Sequence, residues 1–294
     1  MRMGEKRVTA AGFGGALFLI ATFALILLAF TLSFIFGLVK ADADSTVYYI
    51  LNYSLSPIAL FGTLFFATKM SNGRFFTLTA VKKFDPAYLI PAVILPFAVL
   101  FGFGTLNELI EDLGLKIGLN VPERRLPLNG VTEYLLFTFF ICVLPAVAEE
   151  LFFRGALTNY LSRCAPLVAA FLSELCFALY HLSLFSFVYQ FIFGVTLAIL
   201  RWRAKSVIPC VLAHFLNNFV NLSIIYFDIA VNFYSPILII SGVAVTLGII
   251  IFIVLYKKET PEKPTEKAKD FLIPYGLFAM LIAIAVSVVS AVVK

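Results

Sequence analysis

Long apolar stretches alternate with short polar segments along the whole chain. A stretch of about 18 or more apolar residues is typical of a helix that crosses a lipid bilayer. Because the fifth and sixth stretches are short and nearly continuous, a count of eight is the alternative to nine. The pattern predicts an all-α, polytopic membrane bundle with helices at 12–39, 47–68, 86–107, 130–150 continuing to Tyr160, 166–184, 186–200, 206–227, 234–256 and 271–293.

Composition supports the membrane assignment. Apolar residues make up 62% of the chain and charged residues 13%, whereas soluble domains are about 45–50% apolar. Arg2, Lys6 and Arg7 precede a first stretch of roughly 28 residues, much longer than the apolar run of about 7–15 residues in a secretory signal. We therefore expect a retained first helix.

Positive charges are distributed unevenly between the two sides of the predicted bundle. With a cytoplasmic N-terminus and nine helices, the cytoplasmic side carries all but five of the 22 Lys and Arg residues; the five are Lys40, Lys116, Arg124, Arg125 and Lys294. This is the bias expected of cytoplasmic loops. It accounts for the net charge of +5, so we expect no nucleic-acid partner.

The cysteines lie in or beside apolar stretches and form no CxxC pair; they are Cys142, Cys164, Cys176 and Cys210. Buried thiols behave as small apolar side chains. We expect free thiols rather than a disulfide framework.

Three polar segments interrupt the apolar pattern. Residues 69–85 form a basic loop, residues 108–129 an outer loop that opens with a polar interfacial helix, and residues 257–270 a charged linker that detaches the last helix. All unusual polar clusters lie between 149 and 218. We predict a catalytic or transport core at about 130–228, with accessory helices at 1–129 and 229–294.

Three of the apolar stretches each contain one cluster of ionisable residues. His181 and His214 are the only histidines of the chain, and Glu149-Glu150 ends another stretch. An ionisable group at membrane depth costs roughly 3 kcal/mol on insertion scales, so such groups are rare and usually functional. The three clusters therefore predict one buried polar site.

The acidic pair has a defined geometry on a helix. Glu150 and Arg154 are one turn apart and meet as an i,i+4 pair, whereas Glu149 points about 100° away. An unpaired carboxylate at Glu149 suits a general base. The alternative is an interfacial helix end whose charges lie among lipid headgroups.

The two histidine clusters have both functional and structural interpretations. His214 and Asn218 share a helix face and can both donate to a developing oxyanion. An isolated histidine such as His181 is more often a packing residue, and asparagines such as Asn217 and Asn221 often bond helix to helix.

The three motifs together resemble a known family. AEELFFRGAL, FALYH and HFLNN match the order EExxxR, FxxxH, HxxxN of the CAAX-processing and bacteriocin-processing membrane endopeptidases, also called CPBP or Abi, which include the Rce1-type prenyl-protein proteases. The resemblance covers 130–228. It implies an all-helical intramembrane fold with a cavity open to the cytoplasm.

The resemblance also implies roles for individual residues. Glu149 would activate water together with His181, and His214 with Asn218 would stabilise the oxyanion. The supporting residues would be Glu150, Arg154 and Phe177. Glu174 departs from the family, in which we expect a small polar residue at this position.

We therefore expect a membrane-embedded peptidase that needs no cofactor. A zinc enzyme with Glu149, His181 and His214 as ligands is the nearest alternative, although the HExxH spacing is absent. A proton-relaying transporter is a second alternative, but no related halves are visible. A non-catalytic immunity or scaffold protein is a third.

The expected partners are the lipid bilayer and a peptide or protein substrate. A prenylated C-terminal segment, a peptide pheromone and a bacteriocin-like precursor all fit the resemblance. The compact chain favours the cell membrane of a prokaryote.

Overall fold

The computed structural model describes residues 9–42, 44–70, 74–122, 126–256 and 263–293. Within these ranges the chain forms helices and no strand. The helices are α1 (Ala10–Val39), α2 (Thr46–Met70), α3 (Phe75–Leu78), α4 (Pro86–Lys116), α5 (Val131–Leu161), α6 (Pro166–Tyr180), α7 (Phe187–Ala204), α8 (Ile208–Tyr226), α9 (Pro236–Tyr256) and α10 (Ala268–Val292). The predicted all-α fold is confirmed.

Each of the nine predicted apolar stretches forms a helix. In the described part of the chain, seven helices are long and apolar enough to cross a membrane, by length and composition. The other two of the nine are α6, with 15 residues, and α7, whose 18 residues end in a basic turn with Arg201 and Arg203. The chain is an integral membrane protein.

One predicted boundary was wrong. Glu108, Glu111 and Asp112 do not begin a separate interfacial helix, because α4 continues without a break to Lys116. The polar residues instead form the last turns of α4.

The helix ends lie on two faces of the bundle. One face, called here the basic face, contains residues 74–85, 162–165, 205–207 and 263–267. There the Ser206 hydroxyl donates to the Lys82 carbonyl (2.8 Å), and the Thr265 amide donates to the Arg163 carbonyl (2.9 Å). The opposite face contains residues 40–42, 44–45, 117–122, 126–130, 181–186 and 227–235.

Part of the predicted charge bias lies outside the described residues. These positions are Arg2, Lys6, Arg7, Arg124, Arg125, Lys257, Lys258 and Lys294. The described loop residues keep the same bias, with basic side chains concentrated on the basic face.

The last helix is not detached, contrary to the expectation from the charged linker. The Glu266 carboxylate accepts hydrogen bonds from the amides of Ala10 (3.2 Å) and Ala11 (2.8 Å), the first residues of α1. These amides have no partner within their own helix, and a carboxylate at a helix N-terminus is stabilised by the helix dipole. The segment before α10 is therefore fastened to α1.

Two glycines allow α4 and α9 to cross closely. A Cβ atom on Gly102 would lie 2.7 Å from the Gly242 carbonyl carbon, closer than any side chain allows. Small residues at helix crossings let backbones approach within lipid, where packing drives association. This crossing anchors α9 to the helices around the site.

Candidate active site

The site is built on a widened part of α5. Residues Glu150–Leu157 have π-helical hydrogen bonding, a geometry that is rare and often found at functional sites. Side chains from other helices bind the backbone here: Ser173 Oγ donates to the Phe153 carbonyl (3.2 Å), and Arg201 Nε donates to the Arg154 carbonyl (2.9 Å). Helices α6 and α7 therefore hold this segment in place.

Glu150, Arg154 and Glu174 form one buried group, called here the ion cluster. Arg154 Nη1 donates to Glu150 Oε1 at 2.8 Å, and Arg154 Nη2 donates to Glu174 Oε2 at 2.5 Å. All three side chains have no exposed surface. The predicted i,i+4 pair is present, and the headgroup alternative for these charges is wrong because the protein encloses them.

Glu174 lies about two helical turns before His181, but its carboxylate contacts Arg154. It comes from α6, and its second oxygen is buried without a hydrogen-bond partner among the described residues, as are Glu150 Oε2 and Arg154 Nε. An extra carboxylate next to Arg154 means that one guanidinium lies between two acids. Sequence spacing did not indicate this contact, because it joins two different helices.

Gly194 of α7 provides the space for the ion cluster. A Cβ atom at this position would lie 2.6 Å from Glu174 Oε2 and 3.1 Å from Arg154 Nη2. A side chain here would displace the salt bridge.

Glu149, His181 and His214 form a second group, called here the carboxylate–imidazole cluster. Glu149 Oε2 lies 3.9 Å from His181 Nε2 and 3.8 Å from His214 Nε2. Both distances exceed the range of a direct hydrogen bond. The other oxygen, Oε1, accepts a hydrogen bond from Ser56 Oγ of α2 at 3.2 Å.

Hydrogen bonds at Nδ1 orient both imidazoles. His181, at the C-cap of α6, has Nδ1 2.9 Å from the Phe177 carbonyl oxygen, and His214 has Nδ1 2.8 Å from Glu150 Oε1. Both oxygens only accept, so each Nδ1 carries the proton. Both Nε2 atoms consequently face Glu149.

Phe177 connects the two clusters. The Arg154 guanidinium lies over its ring at 4.0 Å, within cation–π range. The same ring makes edge contacts with His181 (4.8 Å) and His214 (5.9 Å). Phe177 is fully buried, so it fixes the spacing of both imidazoles.

The neighbouring asparagines of α8 have different partners. Asn217 accepts a hydrogen bond from the Tyr189 hydroxyl of α7 (2.6 Å), which is the helix-to-helix role weighed in the sequence. Asn218 Nδ2 donates to the Ile141 carbonyl (3.2 Å), and the residue lines the same cavity as His214. Its second amide hydrogen is not used by that bond.

The carboxylate–imidazole cluster lies at the inner end of a cavity of about 570 Å³. This volume is typical of a ligand-binding pocket. Sequence reasoning missed most of its polar wall. The missed residues are Tyr49, Asn52, Tyr53 and Ser56 of α2, Tyr180 of α6, Gln190 of α7 and Asn221 of α8.

A signal for the α2 residues was present. Tyr49, Asn52, Tyr53 and Ser56 recur at intervals of three, one and three residues, the spacing of a single helix face. A polar face on a helix that is otherwise apolar indicates contact with a polar interior.

The carboxylate–imidazole cluster has donor atoms of the types that bind zinc. Metal-binding histidines usually donate their other ring N–H to an oxygen, as His181 and His214 do. Among the described residues, however, no group of three His, Cys, Asp or Glu side chains has the arrangement of a metal site.

A comparison with family models identifies the part of the chain that carries these clusters. Residues 131–220 match the family described as type II CAAX prenyl endopeptidase Rce1-like. This part of the chain is similar to that family and is called here the Rce1-like domain. The match extends from the start of α5 into α8 and contains every residue of both clusters, whereas Ser56, which donates a hydrogen bond to Glu149, lies outside it. Searches of curated proteins and of solved structures gave no significant match.

The Rce1-like domain supports the coarse function predicted from the motifs. It indicates a CAAX-type membrane protease whose substrate is a peptide or protein. The division into a core at 130–228 and accessory helices stays a prediction. The cavity takes residues from both the Rce1-like domain and α2.

Proposed function

We propose that the protein is an intramembrane endopeptidase in which Glu149 activates a water molecule. The observation that supports this proposal is the 3.8–3.9 Å separation of Glu149 Oε2 from the two Nε2 atoms. Polar atoms separated by more than about 3.5 Å are commonly bridged by water. The cavity gives this water a route to the site, because 22% of the His181 side chain is exposed.

The proposed reaction begins with proton transfer from water to Glu149. His181 Nε2 accepts the second hydrogen of the water in the neutral ring and so orients the nucleophile. The oxygen attacks the scissile carbonyl, and Glu149 then passes its proton to the leaving amine. General acid–base catalysis of this kind contributes typically about 10²–10⁴ in rate.

His214 and Asn218 stabilise the oxyanion in this scheme. His214 Nε2 can donate only when the ring is doubly protonated, because Nδ1 already donates to Glu150. Asn218 contributes the amide hydrogen that is not bonded to Ile141. One such donor is worth roughly 10²–10³ in rate. Glu150 and Arg154 act through His214 and are positioning residues.

Exchange of the base tests the proposal. We expect Glu149→Gln to lower cleavage by about 10²–10⁴, because an amide cannot take the proton from water. Peptides released from membranes of cells that express the wild-type chain or the variant are compared by mass spectrometry. The matched control is Glu108→Gln, the same exchange on α4 away from the site.

The same experiment separates an enzyme from a scaffold or immunity protein. Normal membrane insertion with loss of the wild-type peptides supports the protease. Full biological activity of Glu149→Gln would contradict it and favour a protein that acts by binding.

A zinc-dependent protease is the second candidate, favoured by the two Nδ1 hydrogen bonds. Glu149, His181 and His214 would hold the ion, which would supply Lewis-acid chemistry at the same position. Treatment with a strong chelator tests this version. Retained cleavage contradicts it, whereas a loss that added zinc restores would replace the metal-free scheme.

The substrate proposals remain a prenylated C-terminal segment, a peptide pheromone or a bacteriocin-like precursor. We propose a prokaryotic cell membrane as the location, with the N-terminus in the cytoplasm. The opening of the cavity to the cytoplasm, which the resemblance implies, stays a prediction.

A further inference from the structure

Glu174 is a buried carboxylate beside the site that the proposed mechanism does not use. Its side chain has no exposed surface and does not line the cavity. Arg154 therefore serves two carboxylates, those of Glu150 and Glu174. Arg201 does not balance the second acid, since its Nε donates to the Arg154 carbonyl and no salt bridge joins it to either glutamate among the described residues. Burying an extra charge is costly, so stability alone does not account for Glu174.

The ion cluster leaves one oxygen of Glu150 unused. Glu150 Oε1 accepts from both Arg154 Nη1 and His214 Nδ1, each at 2.8 Å, whereas Oε2 has no hydrogen-bond partner among the described residues. Arginine and a carboxylate frequently form two parallel hydrogen bonds. Arg154 makes only one to Glu150, because its Nη2 donates to Glu174 Oε2 at 2.5 Å. Glu174 thus keeps the second arm of the guanidinium away from Glu150.

Helix α6 fixes this arrangement. Glu174, Phe177 and His181 follow one another at intervals of three and four residues, so they lie on one helix face. The Arg154 guanidinium lies over the Phe177 ring at 4.0 Å. A Cβ atom on Gly194 would lie 2.6 Å from Glu174 Oε2, so the backbone of α7 packs directly against this carboxylate. The guanidinium therefore has little freedom to turn away from Glu174.

We propose that Glu174 is a positioning residue of the proposed reaction, because it holds one arm of Arg154 and so keeps Glu150 from a two-pronged salt bridge. Glu150 Oε1 then remains the acceptor that orients His214. Without Glu174, the Nη2 group turns to the unused Oε2 of Glu150, and the carboxylate rotates toward the guanidinium. His214 Nε2, which lies 3.8 Å from Glu149 Oε2, then loses its fixed direction. The role of His214 in the reaction rests on the proposed function.

Glu174→Gln separates this role from a purely structural one. An amide oxygen holds Nη2 less strongly than a carboxylate does, while the Arg154–Glu150 pair stays balanced. We expect an unfolding midpoint at or above the wild-type value, because one buried acid is neutralised. We expect kcat to fall by about 10–100-fold, the range for one charge-assisted hydrogen bond. KM should stay unchanged, since Glu174 does not line the cavity.

The imidazole signals in nuclear magnetic resonance report the orientation directly. The chain has only two histidines, so isotope-labelled histidine in the full chain in detergent gives two Nδ1–H resonances, which His181→Asn assigns. We expect the His214 Nδ1 proton to move upfield in Glu174→Gln, because its bond to Glu150 lengthens. The His181 Nδ1 proton is the internal control, since its partner is the Phe177 carbonyl, and its signal should not move.

Two further variants complete the series. Glu174→Asp keeps the charge but withdraws the carboxylate by one methylene group, so we expect a smaller loss of kcat than for Glu174→Gln. Glu108→Gln, the same exchange on α4 away from the site, should match the wild type in every measurement. Wild-type kcat with a wild-type His214 signal in Glu174→Gln, or a lowered unfolding midpoint as the only change, would overturn the inference. If Glu174→Gln fails to insert, Glu174→Asp decides by the same criteria.

The kinetic substrate is a peptide that spans a cleavage site found by mass spectrometry, and Glu149→Gln is measured beside the Glu174 variants. If Glu149→Gln still cleaves but the His214 signal moves in Glu174→Gln, the proposed base is wrong and the orientation of His214 by Glu174 stands. If cleavage depends on Glu149 while Glu174→Gln keeps the wild-type kcat and His214 signal, the protease stands and the inference is wrong.

Discussion

The two clusters on α5 place adjacent glutamates in opposite environments. Glu150 is fully buried and bonded at 2.8 Å to both Arg154 and His214. Glu149 lies at the end of a cavity, with both imidazoles more than 3.5 Å away. One carboxylate is thus held by protein groups, while the other has room for a molecule from the cavity.

This difference predicts that substitutions at the two glutamates affect different properties, the stability of the fold for Glu150 and the rate of the reaction for Glu149. Removing one partner of a buried ion pair leaves an uncompensated charge and costs about 3–5 kcal/mol. Glu149 has no such short ion pair, so its exchange should affect the reaction far more than the folding. The comparison therefore predicts which substitutions unfold the protein and which only inactivate it.

The largest effect on stability is expected for Arg154→Met. Glu150 and Glu174 would be left buried side by side without their shared cation, at a cost of about 3–5 kcal/mol. The control is Arg163→Met, because the Arg163 side chain is 64% exposed and pairs with Glu266 at 3.8 Å. Thermal unfolding in detergent measures both. Equal midpoints for the two variants would contradict the structural role of the ion cluster.

Asn218→Ala should inactivate without unfolding. Loss of one oxyanion donor lowers the rate by roughly 10²–10³, seen in kcat rather than KM if the donor acts in the transition state. Asn232→Ala is the control, since Asn232 lies in the exposed segment before α9, outside the cavity lining, where its side chain accepts a hydrogen bond from the Tyr234 amide. A change in KM alone would assign Asn218 to substrate binding.

Gly194→Ala tests the space around the ion cluster. Overpacking a buried site costs typically about 1–3 kcal/mol, and here the new methyl group would meet Glu174 and Arg154. Gly62→Ala is the control, because a Cβ on Gly62 has no neighbour within 4 Å and alanine favours a helix over glycine. Unfolding midpoints should move in opposite directions for the two variants.

The smallest effect is expected for Ser56→Ala. The Ser56 hydroxyl donates one hydrogen bond to Glu149, and such a bond contributes about 0.5–1.5 kcal/mol, or more when the acceptor is charged. We expect about a tenfold loss of cleavage with unchanged unfolding. Ser54→Ala, at a site whose hydroxyl donates to the Ile50 carbonyl, should retain wild-type cleavage.

Local spacing explains which features could be predicted from the sequence. The apolar stretches predicted the helices, and the i,i+4 rule predicted the contact of Glu150 with Arg154. The three motifs also indicated that Glu149, His181 and His214 lie together. These predictions depend on neighbours along one helix or on motifs that occur as a set.

Contacts between helices could not be predicted in this way. The pairing of Arg154 with Glu174, and the bond from Ser56 to Glu149, depend on how α6 and α2 pack against α5. The polar wall of the cavity combines side chains from α2, α6, α7 and α8. It therefore depends on how the whole bundle packs. The docking of Glu266 on α1 replaced the loose linker that its charged composition suggested.

The shortness of α6 has a consequence for the surrounding lipid. Its 15 residues extend about 22 Å at 1.5 Å per residue, less than the roughly 30 Å of a hydrocarbon core. His181 ends this helix beside Glu149, in the middle of α5, so the imidazole lies deeper in the bundle than the end of α8 on the same side. A short element is accommodated by local thinning, and turnover in reconstituted vesicles should therefore vary with acyl-chain length.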